Sequence, residues 1–311
     1  MEEMLEQLIL AAGKDRVKTM EPMGPHVTFR AGGKADYFVT PENESGLAGV
    51  LKVCSRHGLP FYLMGNGSNL LVGDLGYHGV IIQMGDAWGG CRFQGNTAKA
   101  GAGILLSRLA KEACRQGLTG LEAAGGIPGT LGGALVMNAG AYGFEMKDVV
   151  RSARVMTESG EILELSAEEL QLGYRTSCIP ARHLIVLGAR LELAPGNREE
   201  IRARMEELTA RRKEKQPLEY PSAGSTFKRP EGYFAGKLIE DAGLRGYRVG
   251  GAQVSEKHCG FVINRGGATA GDIMKLCRDV QRTVKEKFGV TLEMEVRTLG
   301  EFEEPEEGIP R

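Results

Sequence analysis

The turn Met64-Gly65-Asn66-Gly67-Ser68-Asn69-Leu70 has the chemistry of an anion site. Its two glycines allow backbone N–H groups to converge, and Ser68 and Asn69 add side-chain donors, a combination suited to phosphate. The turn lacks the Gly-Lys-Ser/Thr ending of a Walker loop and the spacing of the dinucleotide fingerprint, so a plain hairpin turn is the competing reading. A second glycine run, 125–134, continues through Asn138 to Gly143. So many glycines forfeit chain entropy on folding, and a mere linker would not also carry Ile127, Leu131 and Val136. Backbone packed against a flat ligand, with Thr130 and peptide N–H groups as donors, accounts for both facts. Two such loops on successive α/β units suit the two phosphates of a dinucleotide.

A third set of polar residues sits in Tyr174-Arg175-Thr176-Ser177, in the turn 221–230 around Ser225, and in 292–297. A strand is expected over 291–298, which puts Glu293, Glu295 and Arg297 on one face by the period of two. The bland alternatives are a solvated strand face and a serine that merely forms a turn. No G-x-S-x-G elbow surrounds Ser225, and neither His183 nor His258 sits in a triad motif, so Ser-His-Asp hydrolysis is not indicated.

The elements that must position these residues follow from periodicity. Helices are expected over 3–13, 45–56, 104–116, 197–215 and 270–288, and strands over 35–39, 61–64, 79–84, 98–102, 153–157, 162–165 and 184–193. The basic end of 197–215 lies where a helix dipole favours cations, which argues against a nucleic-acid patch. The tail 301–311, acidic and proline-containing, is expected to fray. These alternations predict an α+β protein built of α/β units, with boundaries near 84 and 207.

Across 311 residues, 39 Lys and Arg balance 40 Asp and Glu, so no whole-protein field draws in nucleic acid or an anionic membrane. Hydrophobic residues make up 42%, enough for a substantial core, and the 45 glycines stand at about twice the usual share. Six scattered cysteines show neither zinc-ligand spacing nor a C-x-x-C pair and read as reduced packing residues, with no metal expected. An acidic N-terminus and the lack of an apolar run of membrane-spanning length predict a cytoplasmic protein.

The strings FRAGGKADYFVTP (29–41), GNGSNLLVGDLGYHGVII (65–82), GGIPGTLGGALVMNAGAYG (125–143), YRTS (174–177), PSAGSTFKRP (221–230), AGKLIEDAGLRGYRVGGAQVSEKHCGFVIN (235–264) and LEMEVRTLG (292–300) together closely resemble the UDP-N-acetylenolpyruvoylglucosamine reductase family. The likeness runs in order over nearly the whole chain. It implies a two-subdomain FAD-binding fold of the vanillyl-alcohol-oxidase type, 1–84 and 85–207, plus a C-terminal α+β substrate domain, 208–311. Implied cofactor contacts are Gly65, Asn66, Gly67, Ser68, Asn69, Gly126, Ile127, Thr130, Gly133 and Arg297, holding FAD non-covalently. Implied catalytic roles fall to Ser225 as proton donor, with Arg175 and Glu295 stabilising an enolate at the substrate carboxylate. Tyr174, Lys228, Arg229 and Lys237 would bind the substrate, UDP-N-acetylglucosamine enolpyruvate, and NADPH would be the reductant. Arg229 stands where asparagine is common in the family, which suits a diphosphate-bearing substrate. The short stretch between Tyr142 and Arg175 resembles the compact type without an inserted substrate-covering loop. A monomer without nucleic-acid or membrane partners is expected. The alternative is a related FAD oxidase acting on a small alcohol or sugar, usually anchored covalently, for which His78 is the nearest candidate.

Overall fold

In the computed structural model, which describes residues 2–303, the helices begin and end where side-chain chemistry dictates. Asn43 caps Glu44–His57 by accepting the Gly46 N–H at 2.9 Å, and Gly58 ends it in left-handed backbone at φ 62°. Ala270–Phe288 opens with a reciprocal capping box between Thr269 and Asp272 and closes at Gly289, φ 69°. The charged helix Arg198–Lys215 buries only Ile201 and Leu208, as its composition implies.

The strands Val17–Pro22, Lys34–Val39, Tyr77–Gln83 and Phe61–Met64 form a four-stranded sheet in that order, with 61–64 parallel to 80–83. A five-stranded antiparallel sheet runs Ile162–Ser166, Val150–Met156, Ile185–Glu192, Thr97–Gly101, Cys91–Gln94. Its central strand Ile185–Glu192 is buried along most of its length, which explains its near-continuous apolar run. The mixed α+β architecture expected above is present.

Contacts divide the chain into two compact units that do not follow it linearly. One comprises 1–19, 37–66 and 79–212; the other comprises 20–36, 67–78 and 213–311. The first has a core centred on Leu47, Leu51, Ile82, Leu109 and Leu191, and the second on Phe29, Leu71, Ile239, Leu276 and Val280. In the second, Asp74 reaches the N-terminus of Ala270–Phe288, its two oxygens accepting the Ala270 and Gly271 N–H groups at 2.8 and 2.6 Å. Asn264 Nδ2 likewise donates to the Phe29 carbonyl at 3.0 Å, tying the early segment to the late one.

One local expectation needs correction, and two elements stand where none was expected. The strand expected over 291–298 is regular only at Arg297–Leu299, which pairs in parallel with Leu70–Val72; before it stands a single antiparallel bridge, Phe227 to Met294. Glu293, Glu295 and Arg297 therefore do not share one face of a single strand. Residues 131–136 inside the glycine run are helical, capped by Thr130, and Cys91–Gln94 pairs with Thr97–Gly101 across a turn with Gly95 at φ 56°. The tail expected to fray lies, from 304 onward, outside the described residues.

Candidate functional site

In the first unit the two glycine loops meet. Gly65 follows the strand Phe61–Met64, and a Cβ placed there would fall 2.1 Å from the Thr130 hydroxyl, so no side chain fits. Asn66 Nδ2 donates to the Pro128 carbonyl at 2.9 Å, and Gln83 Nε2 donates to the Gly65 carbonyl at 3.1 Å. Gly126 lies at the end of a short 3-10 turn beside the Arg212 side chain, whose largely buried guanidinium has its pKa lowered by desolvation but stays charged. Ile127 is half-buried, Thr130 is buried, and Gly133 is exposed.

The same unit carries Arg175 on a tight turn. The Gly173 and Thr176 N–H groups donate to each other's carbonyls at 3.1 and 3.3 Å, closing a loop of which Tyr174 and Arg175 are the two central residues. Arg175 sits at φ 55°, the left-handed region that a long side chain seldom adopts. Its guanidinium lies 5.1 Å from the centre of the half-exposed Tyr174 ring, and Nη2 donates to the Gly140 carbonyl at 3.4 Å. Nearby, a hydrogen bond from Lys147, with its charge and a further bond from Asn138, holds the Glu145 carboxyl below the usual range.

In the second unit Gly67 adopts φ 60° and its carbonyl accepts the Thr28 N–H at 3.2 Å. Thr28 Oγ1 is buried and has no hydrogen-bond partner, the one such side-chain atom among the described residues. Nothing in the sequence reading singled it out, because a threonine among apolar neighbours carries no motif. Ser68 is half-buried, and Asn69 Nδ2 donates to the Glu295 carbonyl at 3.0 Å while the Asn69 carbonyl accepts the Arg297 N–H at 3.0 Å. Asn69, in the first glycine loop, and the 295–297 segment are thus joined.

Ser225 is exposed, whereas Thr226 beside it is 1% exposed and its hydroxyl accepts the Val262 N–H at 3.0 Å. Phe227 after it is buried as well, so the chain turns inward from Ser225 onward. The Glu295 N–H donates to the Thr226 carbonyl and the Lys228 N–H to the Glu293 carbonyl, both at 2.8 Å. Lys228 Nζ meets Glu293 at 2.7 Å, Arg229 stacks 4.0 Å above the Phe234 ring, and Lys237 pairs with Asp241 at 2.5 Å on the helix Ala235–Asp241. Lys237 and Arg229 are exposed and Lys228 is partly buried, so these surface pairs add little to stability. His78 is exposed and faces Asp36 at 3.3 Å.

Residues 216–299 match the sequence profile described as "UDP-N-acetylenolpyruvoylglucosamine reductase, C-terminal domain", and 35–166 match "FAD binding domain". Relatives named UDP-N-acetylenolpyruvoylglucosamine reductase include one from Lachnoclostridium phytofermentans, 54% identical over 97% of this chain and 98% of its own. One from Clostridioides difficile is 52% identical over 94% and 97%. The crystal structure of UDP-N-acetylenolpyruvylglucosamine reductase from Thermus caldophilus is similar with a TM-score of 0.78 at 38% identity, covering 91% of this chain and 99% of that one. On sequence over almost its whole length, the chain belongs to the UDP-N-acetylenolpyruvoylglucosamine reductase family.

Proposed function

We propose that Arg175, Ser225 and Glu295 carry this family's chemistry in the present chain. The protein is an FAD-dependent oxidoreductase, a UDP-N-acetylmuramate dehydrogenase, that uses NADPH to reduce the enolpyruvyl ether of UDP-N-acetylglucosamine enolpyruvate in peptidoglycan precursor synthesis. Bound FAD, once reduced, supplies hydride to C3 of the enolpyruvyl group.

Adding hydride at C3 drives negative charge into the carboxylate as an enediolate. The planar fork of Arg175 offers two donors where that charge develops. Ser225, a weak acid in water, delivers its proton to the carbanion-like C2. Glu295 would repel an enolate as an anion, so its role is that of a protonated donor to the substrate carboxylate. Lys228, Arg229, Lys237 and Tyr174 bind substrate, the cations suiting a diphosphate. The observation that carries this reading is the closed turn Gly173–Thr176, which holds Arg175 in left-handed backbone. Such a conformation costs energy, and at Arg175 the two hydrogen bonds that close the turn keep it in place.

The residues present fit FAD. The unpartnered, buried Thr28 hydroxyl stands at the Gly67 turn, where an anionic oxygen would satisfy it. Gly65, Asn66, Gly67, Ser68, Asn69, Gly126, Ile127, Thr130, Gly133 and Arg297 are proposed to hold the cofactor. The functional division into 1–84, 85–207 and 208–311, a monomeric state and a cytoplasmic location belong to the same proposal; among the described residues no helix is long and apolar enough to cross a membrane. The test is anaerobic: NADPH should bleach the purified yellow protein, and UDP-N-acetylglucosamine enolpyruvate should restore its colour. Reduced protein that stays bleached with that substrate overturns the reading.

A further inference from the structure

The turn that presents Arg175 does not stand alone. Its first carbonyl, that of Gly173, accepts both the Thr176 N–H and, at 2.9 Å, Nδ2 of Asn138. Asn138 is fully buried, and every hydrogen-bonding group of its amide is used: Nδ2 also donates to Glu145 Oε2 at 3.2 Å, and Oδ1 accepts the Lys147 N–H at 2.9 Å. Its backbone sits at φ 42°, a left-handed conformation that asparagine tolerates better than most residues. On the far side of the turn, Ser177 Oγ donates to the Val136 carbonyl at 2.8 Å. Two residues beyond Asn138, the Gly140 carbonyl accepts from the Arg175 guanidinium itself. The backbone of the turn and the tip of the arginine are therefore both referred to one segment, 136–147, with Asn138 as its central connection.

We infer that Asn138 is a positioning residue for Arg175, setting the height and direction of the guanidinium through the Gly173 carbonyl. A buried amide bonded through both its groups restrains the turn, and a bidentate contact to a carboxylate needs placement within about 0.5 Å. The inference rests on the role proposed above for Arg175.

Asn138→Asp keeps the size of the side chain and the acceptor for Lys147 but has no donor for Gly173 or Glu145. Asn138→Gly removes the side chain at a φ that glycine accepts freely, and so serves if the buried acid disturbs folding. Both are measured as FAD-loaded protein in the two half-reactions, with flavin content and melting temperature alongside. Flavin reduction by NADPH should stay near the wild-type rate. Reoxidation at saturating substrate should slow roughly 10- to 100-fold, the range expected from a misplaced catalytic group, with the loss in kcat rather than KM. In the Arg175→Lys background, Asn138→Gly should add little, since the fork it positions is already gone.

Wild-type reoxidation in a flavin-loaded Asn138 variant overturns the inference. So does a full multiplicative loss on top of Arg175→Lys, and so does failure of both variants to retain FAD, which would make Asn138 a residue of the fold or cofactor site. If Arg175→Lys alone reoxidises normally, it is the role of Arg175 that falls.

Discussion

Exchanging Arg175 for lysine keeps the charge and removes the fork. A point charge cannot meet both oxygens of a carboxylate in parallel, so Arg175→Lys should slow substrate-driven flavin reoxidation by roughly a hundredfold while leaving reduction by NADPH unchanged. Stopped-flow absorbance of the flavin separates the two steps, and a defect confined to the NADPH step would contradict the assignment. Ser225→Ala should likewise spare reduction and slow reoxidation about 10²-fold, with Ser225→Cys recovering part of the loss because a thiol is the stronger acid. Its neighbour behaves differently. Thr226→Ala leaves the buried Val262 N–H without its acceptor, so it should lower stability by about 1–3 kcal/mol in chemical denaturation and leave reoxidation intact. The alternation of an exposed Ser225 with an inward Thr226 was legible from an extended turn. The partner of Thr226 was not, since Val262 is distant in sequence and contributes only a backbone group.

Among the elements, the contact of the two glycine loops makes a sharp demand. In Gly65→Ala the new methyl falls on the Thr130 hydroxyl, and overpacking of this kind costs about 1–3 kcal/mol and displaces one loop from the other. The variant should be purified with reduced flavin content. Flavin content equal to that of the wild type would mean that the clash is not what matters. Long helices such as Ala270–Phe288 were readable because their apolar period and caps are local signals. The short helix Leu131–Val136 was hidden by its glycines, whose weak propensity is overcome by packing as close as Gly132 against Ala102. The expected strand over 291–298 failed for the opposite reason: a regular ladder forms only at 297–299, and 293–295 meets 226–228 through a single bridge. Nor does any local pattern announce that Asp74 caps a helix that begins at Ala270, because the carboxylate and the N–H groups meet only through the fold.

For the molecule as a whole, the cysteines give a readout of integrity. All six are free; Cys54, Cys178, Cys259 and Cys277 are buried, and burial pushes the thiols of Cys54 and Cys277 up to about 11 and about 12. Alkylation of native protein at pH 8 should therefore reach only Cys114 and, more slowly because burial raises its thiol as well, Cys91, the other four reacting after denaturation. Rapid native labelling of Cys277, followed by mass spectrometry, would contradict this packing. The free state of the cysteines was readable from their scattered spacing, yet which thiols are shielded depends on cores assembled from distant segments.

The second of those cores joins Phe29 and Leu71 to residues supplied only after position 212. On the ribosome, the segments 20–36 and 67–78 emerge long before the partners that bury them, and the intervening 79–212 takes on the order of ten seconds to synthesise. During that interval Phe29 and Leu71 are greasy surface awaiting a mate, the kind of nascent chain that holding chaperones retain. Biogenesis of this enzyme is thus bound to synthesis of the residues after 212. A ribosome stalled near codon 212 would leave behind not a half-working protein but an aggregation-prone stub.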